Sequence, residues 1–145
     1  MYRFETDLVQ DLQNHLNSGL DPFANLLNYG CEFRYESGSV DVIASTEEND
    51  VISFEAKLTN WRHAVQQAYR RTSFCHFSYV VMPAPISKKI LSFWYEFELR
   101  GIGLCSVTPV ELFIEIPASR QVPVQPWLTS IAANYVSVEL EGDDF

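Results

Sequence analysis

The spacing of apolar residues alternates along the chain between a helical and a strand period. Helical stripes with apolar residues at i, i+3, i+4 and i+7 cover residues 4–16, 60–72 and 86–99. Alternating or continuous apolar runs, typical of strands, cover residues 28–35, 39–45, 51–58, 77–82 and 102–107. The resulting order, α-β-β-β-α-β-α-β, predicts an α/β fold with a mixed central sheet and helices on both faces.

The pattern after residue 107 is less decisive. Residues 110–116 could form an edge strand, and residues 127–140 could form either a short helix or a strand. We therefore divide the chain into a main domain at 1–116 and an extension at 117–145, which either belongs to the same domain or forms a partner-binding arm. The acidic end of the extension is predicted to be a solvated tail rather than a docking peptide.

Two carboxylates and a lysine interrupt the apolar runs of the second and third predicted strands. The polar residues 46–50 separate these strands and predict an antiparallel hairpin, in which Asp41 lies opposite Glu55. Because side chains alternate along a strand, Glu55 and Lys57 should share one face. Like charges at this separation repel unless a cation lies between them, and oxygen ligands suit Mg²⁺ or Mn²⁺.

The segment Asp41, Glu55-Ala56-Lys57 and the helix that follows resembles the PD-(D/E)XK nuclease superfamily, which has the three-layer restriction-endonuclease-like α/β/α fold. The resemblance covers roughly residues 4 to 108 as an order of elements, and its motifs are short. It implies that Asp41 and Glu55 bind Mg²⁺ or Mn²⁺, with the main-chain carbonyl of Ala56 as a further ligand. It also implies that Lys57 is the catalytic lysine.

Two further residues could match positions that this superfamily uses. Glu5 lies on the first helix and Gln67 on the helix after the lysine, and both would join the catalytic set. The alternative interpretation is that Glu5, in the first turn of its helix, interacts with the helix dipole, and that Gln67 is solvated. The chain departs from the superfamily at two positions: Val40 replaces the name-giving proline, and Arg71 replaces a tyrosine found in one large subgroup.

The charge is distributed unevenly. The net charge is −9, but residues 57–89 contain six basic residues and no acidic residue, so this segment is +6 while the remainder is −15. A local basic face can bind phosphates on an acidic molecule because salt screens distant charges. An ordinary solvated helix face is the alternative. The candidate nucleic-acid-binding residues are Arg62, Arg70, Arg71, Lys88 and Lys89.

Composition limits the remaining possibilities. A chain of 145 residues with 47% hydrophobic residues suits one compact domain. No apolar run is long enough for a membrane span or a secretory signal, so we expect a cytoplasmic protein. The three cysteines lack metal-site spacing and should be reduced thiols.

The sequence therefore predicts a metal-dependent nuclease acting on nucleic acid, DNA more than RNA, with a possible protein partner or homodimer. Two other classes stay open. The nuclease scaffold could serve as a catalytically inactive binding or assembly subunit, since a fold does not fix a function. The acidic surface could also belong to an inhibitor that imitates DNA.

Overall fold

The computed structural model describes residues 2–143, with side chains described through residue 137. The helices are α1 (Glu5–Asn17), α2 (Trp61–Arg71), α3 (Ala84–Ile90), α4 (Trp94–Arg100) and α5 (Pro126–Asp143). The strands are β1 (Leu26–Tyr35), β2 (Gly38–Thr46), β3 (Val51–Ala56), β4 (Phe77–Pro83), β5 (Gly103–Val107) and β6 (Leu112–Ile116).

Across residues 2–143 the strands form one six-stranded mixed sheet in the order β1-β2-β3-β4-β5-β6. The pairs β1–β2, β2–β3 and β5–β6 are antiparallel, whereas β3–β4 and β4–β5 are parallel. A parallel pair needs a crossover connection, and α2 and then α3 with α4 provide the two crossovers. The mixed sheet and the predicted order of elements are confirmed.

Helix α1 covers one face of the sheet. Its fully buried Leu8 and Leu12 belong to the same apolar cluster as Val42, Phe54 and Val81, which alternate along their strands. Helix α1 therefore holds its first residue, Glu5, close to the ends of β2 and β3.

Helix α2 packs on the opposite face through the stripe that its sequence predicted. Ala64, Val65 and Ala68 are buried against Val80 and Leu104 of the sheet, together with residues of α3 and α4. Asn60 takes the cap position of α2 with φ of 54°, but its side chain makes no capping hydrogen bond.

The predicted helix at 86–99 is divided. It is present as α3 and α4, separated by a 3₁₀ turn at Leu91–Phe93. The apolar stripe continues through this turn, so periodicity alone gives no signal for the break.

The C-terminal segment left open between helix and strand is α5. Its buried Ala132 and Val136 pack against Phe33 and Phe74 in a third apolar cluster that also contains Val51. The acidic tail lies largely outside the described side chains, and residues 144–145 lie outside the described structure altogether.

The alternation of β1 and β2 is interrupted beside Asp41. Glu32 has a left-handed φ of 51°. On either side of it, Cys31 pairs with Val42 and Phe33 pairs with Val40. Cys31 and Val42 contact the α1 cluster, whereas Phe33 and Val40 contact the α5 cluster. The local change of face places Asp41 between the two sides of the sheet.

Candidate metal and phosphate site

The two carboxylates of the predicted hairpin lie at opposed positions. The β2–β3 register pairs Val42 with Phe54, so Asp41 and Glu55 occupy the next position of the ladder. The backbone N–H of Ala56 donates a hydrogen bond to Asp41 Oδ2 over 2.8 Å. The register predicted from the turn length is therefore confirmed, and the hydrogen bond fixes the Asp41 side chain against the end of β3.

A cavity of about 370 Å³ collects most of the predicted site residues at this end of the sheet. Strand β2 contributes Asp41, β3 contributes Glu55 and Ala56, and Lys57 follows directly after β3. The remaining predicted residues along its wall are Glu5 from α1 and Gln67, Arg70 and Arg71 from α2. The structure thus brings the predicted catalytic and metal-binding set into one cavity, while the chemical role of each residue stays a prediction.

Both carboxyl groups have pKa values raised above those of ordinary carboxyl groups. Burial and, second, the charge of Asp41 raise the pKa of Glu55 to about 7, against the opposing effect of Arg71 and Lys57. Burial also raises the pKa of Asp41, while the hydrogen bond from Ala56 lowers it. A bound cation would remove this cost because it stabilises both charged forms.

Arg71 lies in the cavity rather than on an exposed basic face. The residue is 3% exposed, and its Nη2 lies 3.7 Å from Glu55 Oε2. Its guanidinium donates hydrogen bonds to Tyr35 Oη over 2.5 Å and to the Ser39 carbonyl over 2.7 Å. Arg71 lies with Gln67 on the margin of the α2 stripe that the sequence predicted to face the strand ends, and its side chain is turned toward the sheet there. Its proposed contact with nucleic acid stays a prediction.

Several buried polar atoms of the cavity lack a hydrogen-bond partner among the described residues. They are Oε2 of Glu55, Oε1 of Gln67 and Nε of Arg71. Buried polar atoms are normally satisfied, so the two unpaired oxygens at the cavity fit a site that takes a cation or water. Mg²⁺ commonly takes one or two carboxylates together with waters and substrate phosphates, and the pair Asp41 and Glu55 fits this pattern.

The third carboxylate of the cavity belongs to Glu5. Across the side chains that the structure describes, no group of three or more His, Cys, Asp or Glu residues is arranged to hold a metal ion. Glu5 lines the cavity from α1, and its Oε2 accepts a hydrogen bond from the Leu58 N–H over 3.4 Å. Its charge still reaches Asp41 and Glu55, whose pKa values it raises.

The other predicted nucleic-acid-binding residues are dispersed. Arg70 is exposed and lines the cavity, whereas Arg62 lies against the rings of Trp61 and Phe93 at the other end of α2. Lys88 and Lys89 belong to α3, outside the residues that line the cavity, and Lys88 pairs with Glu115 over 3.4 Å. The structure thus places Arg70 beside the site and the remaining three at other positions.

A larger cleft of about 660 Å³ adjoins the site on the α1 side. It shares Glu5 and Asp41 with the first cavity and contains no lysine or arginine in its described lining. Its other wall residues include Gln10 and Gln13 of α1, Glu32 of β1 and Tyr135 of α5. Sequence reasoning missed this cleft, because it depends on the kink at Glu32 and on the packing of α5, neither of which has a local sequence signal.

Comparison with known proteins gives structural but no sequence matches. No family model matches the chain, and no curated protein is similar in sequence. The protein SPO1766 of unknown function from Silicibacter pomeroyi has a TM-score of 0.69 at 14% identity, over 94% of this chain and 85% of that chain. An EndoMS–dsDNA complex has a TM-score of 0.50 at 15% identity, over 77% of this chain and 48% of that chain.

A repair endonuclease from Pyrococcus abyssi has a TM-score of 0.49 at 18% identity, over 69% of this chain and 46% of that chain. This chain thus spans about half the length of the two endonuclease chains. Separately, none of the helices that the structure describes combines the length and apolar character needed to span a membrane. With its mixed sheet, its order of elements and its structural similarity to the EndoMS chain, the chain has a restriction-endonuclease-like α/β fold.

Proposed function

We propose that this protein is a metal-dependent nuclease of the PD-(D/E)XK type that hydrolyses phosphodiester bonds in DNA. The observation that supports this most directly is the opposed pair Asp41 and Glu55, with Lys57 at the same cavity, at one end of a restriction-endonuclease-like sheet. Paired carboxylates with a nearby amine suit hydrolysis of a phosphodiester.

In this proposal Asp41 and Glu55 hold Mg²⁺ or Mn²⁺, and the main-chain carbonyl of Ala56 is a further candidate ligand. The ion, when bound, would supply charge neutralisation at the phosphate and activation of water. Lys57 orients or deprotonates the attacking water and offsets negative charge in the transition state. Gln67, whose Oε1 is unpaired within the described structure, accepts a hydrogen bond from that water.

DNA is the proposed substrate for two reasons. The EndoMS structure with a similar fold is a complex with double-stranded DNA. The exposed Arg70 at the cavity offers a charged group for a phosphate next to the reacting one.

The test is cleavage of a labelled DNA duplex in the presence of Mg²⁺. We expect Asp41→Asn and Lys57→Ala each to reduce the rate by about 100-fold or more, because each removes a group that acts on the reacting phosphate. Asp7→Asn, an exposed acid on α1, is the matched control and should cleave like the wild type. Undiminished cleavage by either site variant would remove that residue from the mechanism.

One observation favours a second function, a catalytically inactive scaffold that binds DNA or assembles with a protein partner. Glu55 already has a partner in Arg71, and this ion pair competes with a metal ion for the carboxylate. Calorimetric titration with Mn²⁺ separates the two functions. An active centre binds the ion and Asp41→Asn weakens that binding, whereas an inactive scaffold takes up no ion at this cavity.

A further inference from the structure

The formal charges of the side chains around the candidate site cancel. The cavity lining contains as many basic as acidic side chains, so with all of them ionised its formal charge is zero. The acidic members are Glu5, Asp41 and Glu55, and the basic members are Lys57, Arg70 and Arg71. One divalent ion would raise the formal charge of the cavity to about +2, which favours binding of the phosphate groups of a nucleic acid. A second divalent ion would double this charge, and the described lining has no further acidic side chain to balance it.

Arg71 places a fixed positive charge beside Glu55. Its Nη2 is 3.7 Å from Glu55 Oε2, and the side chain is almost completely buried. Hydrogen bonds to Tyr35 and Ser39 fix the guanidinium at the ends of β1 and β2. A charge held this firmly inside the protein cannot move away from an incoming cation, and solvent screens the resulting repulsion poorly.

We propose that Arg71 supplies the second positive charge of this site, so that the site takes one divalent ion at Asp41 and Glu55 and excludes a second. This inference rests on the proposed metal-dependent function. Arg71 is then a positioning residue for Glu55 as well as a fixed charge, and its place in the sequence is the one where a tyrosine was expected from the superfamily pattern.

The experiment is calorimetric titration of the full chain with Mn²⁺, using wild type, Arg71→Lys and Arg71→Gln. Glutamine removes the charge but keeps a donor for the Ser39 carbonyl or Tyr35, and lysine keeps the charge. We expect one ion per chain for the wild type and for Arg71→Lys, and two for Arg71→Gln. A purely structural role for Arg71 would change the melting temperature of the variants without changing this number.

The outcomes separate this inference from the proposed function. Two ions in the wild type, or one ion in a folded Arg71→Gln variant, overturn the role of Arg71 and leave the nuclease proposal standing. No ion in the wild type overturns the metal-dependent function itself. If Arg71→Gln does not fold, electron paramagnetic resonance of the Mn²⁺-saturated wild type decides: a spectrum of isolated ions supports the inference, and spin-coupled ions overturn it.

Discussion

At the residue scale, the site concentrates groups whose ionisation is costly without a cation. Glu55 is 5% exposed, and its pKa of about 7 lies above the ordinary value of 4.5. Asp41 is shifted in the same direction. The folded, metal-free protein therefore binds these protons more tightly than the unfolded chain does.

This shift has a definite sign in a stability measurement. Because the folded pKa of Glu55 is raised, its contribution is fully present below pH 4.5 and is lost as the pH rises through 7. We expect the metal-free wild type to lose about 3 kcal/mol from this group between pH 4.5 and pH 8. Glu55→Gln should lose correspondingly less, as measured by urea unfolding at both pH values with a chelator present.

Addition of Mn²⁺ is the control for this experiment. The ion should recover stability in the wild type at pH 8 and have little effect on Glu55→Gln. Parallel pH profiles for the two proteins would show that Glu55 ionises freely and would contradict the raised pKa of its carboxyl group.

Single residues also show what the sequence could and could not predict. The opposition of Asp41 and Glu55 follows from the five-residue turn and the period of a strand, both of which are local. The burial of Arg71 does not follow, because its partners Tyr35, Ser39 and Glu55 lie on three separate strands. A basic residue at a helix end is equally compatible with solvent and with a buried ion pair.

At the element scale, α5 has a structural role that the apolar pattern left open. Its composition is mostly apolar without a clear helical or strand period, so periodicity could not decide its type. In the fold it covers Phe33 and Phe74 on the α2 side of the sheet. Helix α2, by contrast, was predictable in position and in its buried face, since its stripe is strongly periodic.

A pair of substitutions on α5 tests this packing. Ala132 is fully buried, and Ala132→Asp would place an unpaired carboxylate among aromatic rings. We expect a loss of about 3 to 5 kcal/mol in the free energy of unfolding. Ser130→Asp introduces the same charge at an exposed position of the same helix and should change stability by about 0.5 kcal/mol or less. Equal effects in thermal unfolding would show that α5 does not cover the core.

At the scale of the whole molecule, the proposed substrate of this acidic protein is a polyanion. The net charge of −9 makes any DNA binding dependent on a few local basic groups and hence on salt. Among the candidates, Arg70 is the exposed one at the cavity. The uneven charge along the chain was visible in the sequence, but the dispersal of Lys88 and Lys89 onto α3 depends on the folded topology.

Salt-dependent binding to a DNA duplex tests the contribution of Arg70. If it contacts one phosphate, Arg70→Ala should lower the affinity and reduce the slope of log K against log salt by about one. Arg34→Ala removes an exposed arginine from β1, outside the cavity lining, and serves as the matched control. Fluorescence anisotropy over a salt series with Ca²⁺ in place of Mg²⁺ gives both slopes, and identical slopes would remove Arg70 from the interface.

Glu5 and Asp41 form a common wall between the small cavity and the larger cleft beside α1. A compound seated in that cleft would contact Glu5 and Asp41 and would need no negative charge of its own, because the described lining contains no basic residue. A ligand for this cleft is therefore best sought among neutral molecules that hydrogen-bond to amide side chains, rather than among nucleotide mimics.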